Sequence, residues 1–309
     1  MTPAVSVVIP AYNARDTLGE QLAALAAQDA AVPFEVLACD NGSTDGTVEL
    51  VRAAQRERPW LRLVDASARR GASAARNIGA ADARASLLLF CDADDVVSSG
   101  WVRAFHDALQ SAAFAAGAVE HAVLNPGQDW DFGWDRPTFT DPALPQLPAG
   151  GSGNMGIRAD VFAAVGGFDE TLATAEDIDF SWRVQLAGHD LVGVPDAIVH
   201  VRKRAGLRAA MRQAYAKGAG GRVLAHRYAL IRAEYERQSR SASASFGAGG
   251  GGTRLDRLRR LPAKAASILR SPAQATPYLS ELAHRAGSRR AEIDGVAQLA
   301  PPDRLPRAG

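Results

Sequence analysis

The sequence predicts an α/β fold, a mostly parallel sheet flanked by helices with a helical extension towards the C-terminus. Two observations carry this. Short apolar runs alternate with helical periods through residues 5–111, and a βαβα rhythm builds parallel strands joined by right-handed crossovers. Residues 87–91, Leu-Leu-Leu-Phe-Cys, then stop abruptly at Asp92, Asp94 and Asp95. An apolar run of this length reads as a strand buried on both faces. The carboxyl edge of such a strand is where open α/β sheets bind ligands.

The elements follow in order. Residues 5–10 form a strand, and 17–28 a helix with Leu18, Leu22 and Leu25 on one face. Strands at 34–40, 61–65 and 86–92 alternate with helices at 47–58, 73–83 and 101–111. A strand is expected at 118–124, after which the rhythm breaks. Residues 125–151 hold five of the sixteen prolines and the aromatics Trp130, Phe132 and Trp134. A long irregular loop inside a compact domain is a candidate substrate-facing segment; packing of its aromatics on the core is the equal alternative. Regularity returns at 151–157, with helices at 159–165 and 175–187 and short strands at 191–194 and 197–201. One long helical segment covers 207–238. Residues 239–253 have linker composition, and the tail beyond is basic and proline-rich.

Composition narrows the function classes. The chain has 309 residues, 47% of them apolar, which supports a sizeable core. Net charge is +1, but residues 241–309 carry eleven Lys/Arg against five Asp/Glu, leaving an acidic main body. That balance argues against a nucleic-acid binder. Cys39 and Cys91 each precede an aspartate at a strand end and read as buried free thiols. With no basic-apolar leader and no apolar run of about 18 residues, the expectation is a cytoplasmic protein. The first strand leads into Pro10-Ala11-Tyr12-Asn13 with none of the glycines of a dinucleotide fingerprint, and no Gly-Lys-Ser/Thr phosphate loop occurs.

Three carboxylates at one strand end repel unless a cation sits among them. Hard Mg²⁺ or Mn²⁺ suits an Asp-x-Asp cluster, completing its shell with phosphate oxygens and water. Asp40 ends the second strand, where a buried acceptor can pair with the imide N–H of a pyrimidine ring. The following Asn41–Thr47 segment is also a turn and helix-cap signature.

Six segments in this order resemble one family: Val7-Val8-Ile9-Pro10-Ala11-Tyr12-Asn13, Asp40-Asn41-Gly42-Ser43-Thr44-Asp45, residues 71–80 (Gly-Ala-Ser-Ala-Ala-Arg-Asn-Ile-Gly-Ala), Asp92-Ala93-Asp94-Asp95, Gly153-Asn154-Met155 through Gly166-Gly167-Phe168-Asp169-Glu170, and Glu176-Asp177-Ile178-Asp179. The chain resembles the inverting, nucleotide-sugar-dependent glycosyltransferases of family 2 over roughly residues 5–220. The resemblance implies a GT-A type, Rossmann-like domain over 1–205, its nucleotide half at 1–117 and its acceptor half at 118–205. A helical extension at 206–238 and a linker with a partly disordered basic tail at 239–309 would follow.

The resemblance also implies roles. Pro10, Tyr12 and Asp40 line the nucleobase pocket, and Arg70 and Gly71 contact base or phosphate. Asp92 and Ala93 approach the ribose, and Asp94 holds Mg²⁺ or Mn²⁺ with His200 as a further ligand. Asn77 braces a loop. Asn154, Glu176 and Trp134 face the acceptor. The donor is a UDP, dTDP or GDP sugar, and the acceptor is a saccharide or a lipid-linked molecule. Asp177 is the general base by family position. Thr174-x-x-Asp177 also fits a capping box, a reading that can coexist with the base; the helix dipole would weaken a base there while a nearby diphosphate would strengthen it. Arg202, Lys203 and Arg204 either neutralise phosphates or form a solvated face. Leu255, Leu258 and Leu261 among arginines at 254, 257, 259 and 260 suggest peripheral contact with the inner face of a membrane, against a solvated tail. A sugar nucleotidyltransferase and a binding protein that has lost catalysis are the other functional readings.

Overall fold

The computed structural model of the chain describes residues 2–30, 32–127, 136–203, 206–244 and 272–306. The first strands and helices are β1 (Val5–Ala11), α1 (Leu18–Ala26), β2 (Phe34–Asp40), α2 (Thr47–Gln55), β3 (Leu61–Asp65), α3 (Ala72–Asp82) and β4 (Leu87–Cys91). Next come β5 (Val96–Val97), α4 (Trp101–Ala108), β6 (Phe114–Glu120), β7 (Phe139–Thr140), β8 (Pro148–Ala149), β9 (Asn154–Arg158), α5 (Ala159–Ala164), α6 (Glu176–Leu186) and β10 (Leu191–His200). The helices α7 (Leu207–Arg227), α8 (Ala229–Ala244) and α9 (Pro272–Arg290) follow.

Eight strands form one sheet in the order β3-β2-β1-β4-β9-β6-β10-β5, and β7 pairs with β8. The β3-β2-β1-β4 half is parallel; β9 runs antiparallel to both β4 and β6. Both faces of the sheet are covered. Val5, Val7 and Ile9 point into one apolar layer with Leu18, Leu22, Leu25, Trp101 and Phe105. Val8, Leu37, Cys39, Leu88 and Phe90 point into the other with Phe162, Phe168 and Phe180. Two-sided burial is why β1, β2 and β4 read as unbroken apolar runs.

Several elements differ from the sequence expectation. The sixth strand is Phe114–Glu120, not 118–124, because the Glu120 carboxylate accepts the amides of Ala122 and Val123 and turns the chain out. Its Ala-Ala-Gly-Ala centre has weak strand propensity and hid it. The two strands expected across 191–201 are one strand whose register shifts between Val194 and Val199, around Pro195. The long helix at 207–238 is two, α7 and α8, meeting at Tyr228. Part of the expected tail is the helix α9.

The chain falls into two compact units, Met1–Asp141 with Leu147–Lys203 and Pro306–Gly309, and Pro142–Gln146 with Arg204–Leu305. In the second unit α7 and α9 meet at glycines. A Cβ on Gly218 would lie 1.9 Å from the His284 carbonyl oxygen, and one on Gly287 would lie 2.0 Å from that of Tyr215. Only glycine permits backbones this close. Among the described residues no helix is long and apolar enough to cross a membrane.

Candidate active site

The strand order turns over between β1 and β4, so their carboxyl ends flank a crevice, as in other open α/β sheets. Three loops are laced together at this edge. The Asn13 amide donates to Ser43 Oγ (2.9 Å) and the Thr44 amide to Asn13 Oδ1 (2.9 Å). Asn41 Nδ2 donates to the carbonyls of Ala66 (2.6 Å) and Arg69 (2.7 Å), and its Oδ1 accepts the Gly71 amide (2.8 Å). Pro10, Tyr12, Asp40, Arg70 and Gly71 therefore stand on one tied rim. Tyr12 is 64% exposed. Asp40 is buried, its carboxylate accepting the amides of Gly42 (3.1 Å) and Ser43 (3.3 Å). Such a carboxylate has about four acceptor directions, so these bonds orient it without exhausting it. Asn13 and Asn41 as braces were missed in the sequence. The signal was there: asparagine tolerates positive φ, and Asn13 sits at φ 50°.

Asp92, Asp94 and Asp95 follow β4, each offering a carboxylate oxygen within 4.8 Å of the other two. Asp95 is the buried member. Burial, then the charges of Asp92 and Asp94, push its carboxyl up to about 8, against the pull of the Arg202 amide, which donates to it (2.9 Å). Arg202 also donates from Nε to the Asp94 carbonyl (3.1 Å) and from Nη2 to Glu20 (2.8 Å). Crowded hard oxygen donors of one charge fit Mg²⁺ or Mn²⁺, which uses one or two carboxylates and leaves open positions. Ala93 is buried between them.

The cluster connects to α6 through Arg76, which sequence reading did not single out. Arg76 Nη2 donates to Asp92 Oδ1 (2.6 Å), and Nη1 lies 3.4 Å from Glu176 Oε1. Burial works against its charge, but Asp92, Glu176 and Asp177 outweigh it and raise its affinity for the proton. Asn77, its neighbour, donates to the Phe168 carbonyl (2.9 Å) and Glu170 (2.9 Å) and accepts the Phe168 amide (2.9 Å), so it braces the Gly166–Glu170 turn.

Asp177 lies in the first turn of α6, its Oδ1 accepting the Ile178 amide (2.9 Å). The capping box is not formed. The residue before the helix is Ala175, with no side-chain cap and φ 62°. A left-handed alanine costs on the order of 1–2 kcal/mol, and such strain clusters at functional sites.

Asn154 and His200 each have partners within the fold. Asn154 is 3% exposed inside the sheet, accepting Trp101 Nε1 (2.7 Å) and donating to the carbonyls of Ala118 (2.7 Å) and Ala197 (2.9 Å). Both donor directions of its amide nitrogen are used by the fold. His200 is opposite Val96, close in sequence to the carboxylates, but its Nδ1 pairs with Glu120 (2.8 Å) and it is not part of the carboxylate group. Trp134 and Arg204 lie outside the described residues, as does the 254–261 segment. Cys39 and Cys91 are buried and free, and burial pushes the Cys39 thiol up to about 12, making it inert.

Comparison with known proteins agrees with this architecture. The family model described as glycosyl transferase family 2 matches residues 6–165, and that of glycosyl transferase family group 2 matches 87–251. Glycosyltransferase AglE of Haloferax volcanii is 29% identical over 206 residues, covering 63% of this chain and 66% of that protein. Validoxylamine A glucosyltransferase of Streptomyces hygroscopicus subsp. jinggangensis is 30% identical over 230 residues, covering 60% of this chain and 52% of that protein. The chain spans less than two thirds of the length of either relative. Among solved structures, the mannosyltransferase PcManGT from Pyrobaculum calidifontis, in complex with GDP-Man and Mn²⁺, superposes with a TM-score of 0.62 at 18% identity, covering 96% of this chain and 88% of that one. S. aureus TarS 1–349 in complex with UDP-GlcNAc gives 0.52 at 19% identity, covering 92% and 90%. The fold is of the GT-A type, and the chain belongs to glycosyl transferase family 2.

Proposed function

We propose that the protein transfers a sugar from a nucleoside-diphosphate donor to an acceptor hydroxyl with inversion, with Mg²⁺ or Mn²⁺ held at Asp94 and Asp92. The observation that carries the reading is the Asp92–Arg76–Glu176 bridge, which sets the acidic cluster and the turn bearing Asp177 one guanidinium apart. The ion, when bound, offers positive charge to a departing diphosphate. Asp40, on a rim with Tyr12 and Gly71, orients the base. Asp177 removes the acceptor proton as the hydroxyl attacks the anomeric carbon from the face opposite the diphosphate, a single displacement that inverts the centre. Structural neighbours that bind GDP-Man and UDP-GlcNAc support a nucleotide-sugar donor.

The acceptor side is proposed to work at the inner face of a membrane, on a lipid-linked molecule. The second unit carries nineteen Lys/Arg against seven Asp/Glu, a net +12. Its α7 has five Lys/Arg, no acid, and the exposed apolar residues Leu207 and Tyr215. Cationic and apolar groups together favour anionic lipid surfaces.

Calorimetric titration with UDP, dTDP and GDP, each with Mn²⁺ and then EDTA, is the test. One nucleotide is expected to bind tightly and to be released by EDTA. The transferred sugar should have the opposite anomeric configuration to the donor. No binding of any of the three, pyrophosphate release from a nucleoside triphosphate, or a retained anomer would each overturn the reading. Cosedimentation with phosphatidylglycerol but not phosphatidylcholine vesicles is expected, and equal recovery from both would remove the membrane part.

Gly153 offers a sharper check on Asp92. A Cβ there would lie 2.7 Å from Asp92 Oδ2. Gly153→Ala is expected to force Asp92 Oδ2 aside, the oxygen that Arg76 does not hold, and weaken Mn²⁺-dependent nucleotide binding by about tenfold or more, as misplaced ligand shells do. Unchanged binding in the calorimeter would remove Asp92 from the donor site.

A further inference from the structure

Arg76 is a buried cation on α3, with a side chain only 4% exposed and an Nε that has no hydrogen-bond partner. It spends its two Nη groups on carboxylates from two different elements. Asp92 follows β4, and Glu176 opens α6. Its guanidinium also stacks over the Phe168 ring, 5.6 Å from the centroid, and Asn77 beside it holds the backbone of that same Phe168. One stretch of α3 thus grips the acidic loop, the turn before α6 and the first turn of α6.

This grip has a chemical consequence. Asp92 Oδ1 is fixed by Arg76 while Oδ2 points at the space where Gly153 lacks a side chain. On the other side, Glu176 is the residue before Asp177, and the backbone there starts from the strained Ala175. A turn that begins with strain is held by what it contacts. Glu176 meets Arg76 (3.4 Å) and Ser152 Oγ (3.5 Å). A planar fork with donors at fixed angles can hold two carboxylates at a set spacing, which an ammonium cannot.

We infer that Arg76 is a positioning residue that sets the distance between the donor-side carboxylate Asp92 and the α6 turn carrying Asp177. The inference rests on the proposed transfer reaction. It assigns Arg76 no contact with the sugar or the diphosphate. Its contribution is alignment of two reacting partners, and misplacement by about 1 Å costs on the order of 10²-fold in rate.

The test uses the full chain with Arg76→Lys, Glu176→Gln and the double variant. Three quantities are read: steady-state kcat and donor KM, nucleotide affinity with Mn²⁺, and hydrogen exchange at the Ile178 and Asp179 amides. Arg76→Lys keeps the charge and loses the fork. It is expected to lower kcat by about 10- to 100-fold while donor KM stays within about threefold. Exchange at Ile178 and Asp179 should quicken about tenfold while the β1 and β4 amides stay protected. Glu176→Gln should act in the same direction, and the double variant should be no worse than the poorer single one, because both break one tie. Effects on kcat that multiply, a loss confined to donor KM, or unchanged exchange at Ile178 and Asp179 would overturn the inference. If Arg76→Lys loosens the whole sheet, the Glu176→Gln arm decides, since it leaves the Arg76–Asp92 pair intact. If the unaltered chain neither binds nucleotide nor transfers sugar, the proposed function falls. The exchange readout still reports on the tie.

Discussion

Asp94→Asn is expected to lower turnover by about 10²- to 10³-fold, some 3–4 kcal/mol of transition-state stabilisation, and to abolish the part of nucleotide binding that EDTA removes. The substitution is nearly isosteric and removes only charge. The main chain at this position should hold, because the Asp94 carbonyl accepts Arg202 Nε and the next residue accepts the Arg202 amide. Stability is expected to stay level or rise. Asp94 is one of the two charges that, after burial, push Asp95 up to about 8. Removing a like charge from that group relieves repulsion. Thermal unfolding and calorimetry on the same sample separate the two effects. A variant that melts normally and still binds nucleotide only with Mn²⁺ would take the ion away from Asp94.

Asp177→Asn should separate chemistry from binding. Turnover is expected to fall by about 10²- to 10⁴-fold, the range for a positioned general base, while nucleotide affinity stays within about threefold. Asn can still accept the Ile178 amide through its side-chain oxygen, so the first turn of α6 keeps its local bond. The lost charge at the helix N-terminus costs about 0.3–1 kcal/mol, a shift of a few degrees in Tm at most. Near-normal transfer by this variant would leave Asp177 as a helix-end residue and nothing more. A parallel fall in nucleotide affinity would instead make it part of the donor site. The Arg76 hydrogen bonds run to Asp92 and Glu176, and Asp177 adds only its charge, so Asp177→Asn should keep those bonds and the two sets of variants should report different steps.

The sequence was most legible where burial is two-sided. Apolar runs such as Val5–Ala11 and Leu87–Cys91 admit one reading, and the carboxylates that end a run point to the ligand edge. It was least legible where a residue's partner lies far along the chain. Asn154 carries a side chain that would suit an acceptor face, yet its amide bonds reach Trp101, Ala118 and Ala197. Arg76 sits in the middle of a helix of alanines, and its charge gains meaning only when Asp92 and Glu176 arrive from 16 and 100 residues away. The family resemblance puts His200 near the metal or the diphosphate, and only strand register shows that it stands beside Glu120, which its Nδ1 meets. Short strands also escaped notice: β5 has two residues and is made by its partner β10, not by its own propensity.

By itself, the sequence determined the α/β alternation, the carboxylate triplet at a strand end and the membership in family 2. These depend on local apolar period and on short motifs, which a linear reading holds intact. Tertiary structure decided the antiparallel insertion of β9, the break at Tyr228, the glycine contact of α7 with α9 and the Arg76 bridge. The Arg76 bridge and the glycine contact show the reason most plainly: a buried charge needs a partner, and two backbones need room. Both needs are met by residues distant in sequence, whose nearness is a property of the fold alone.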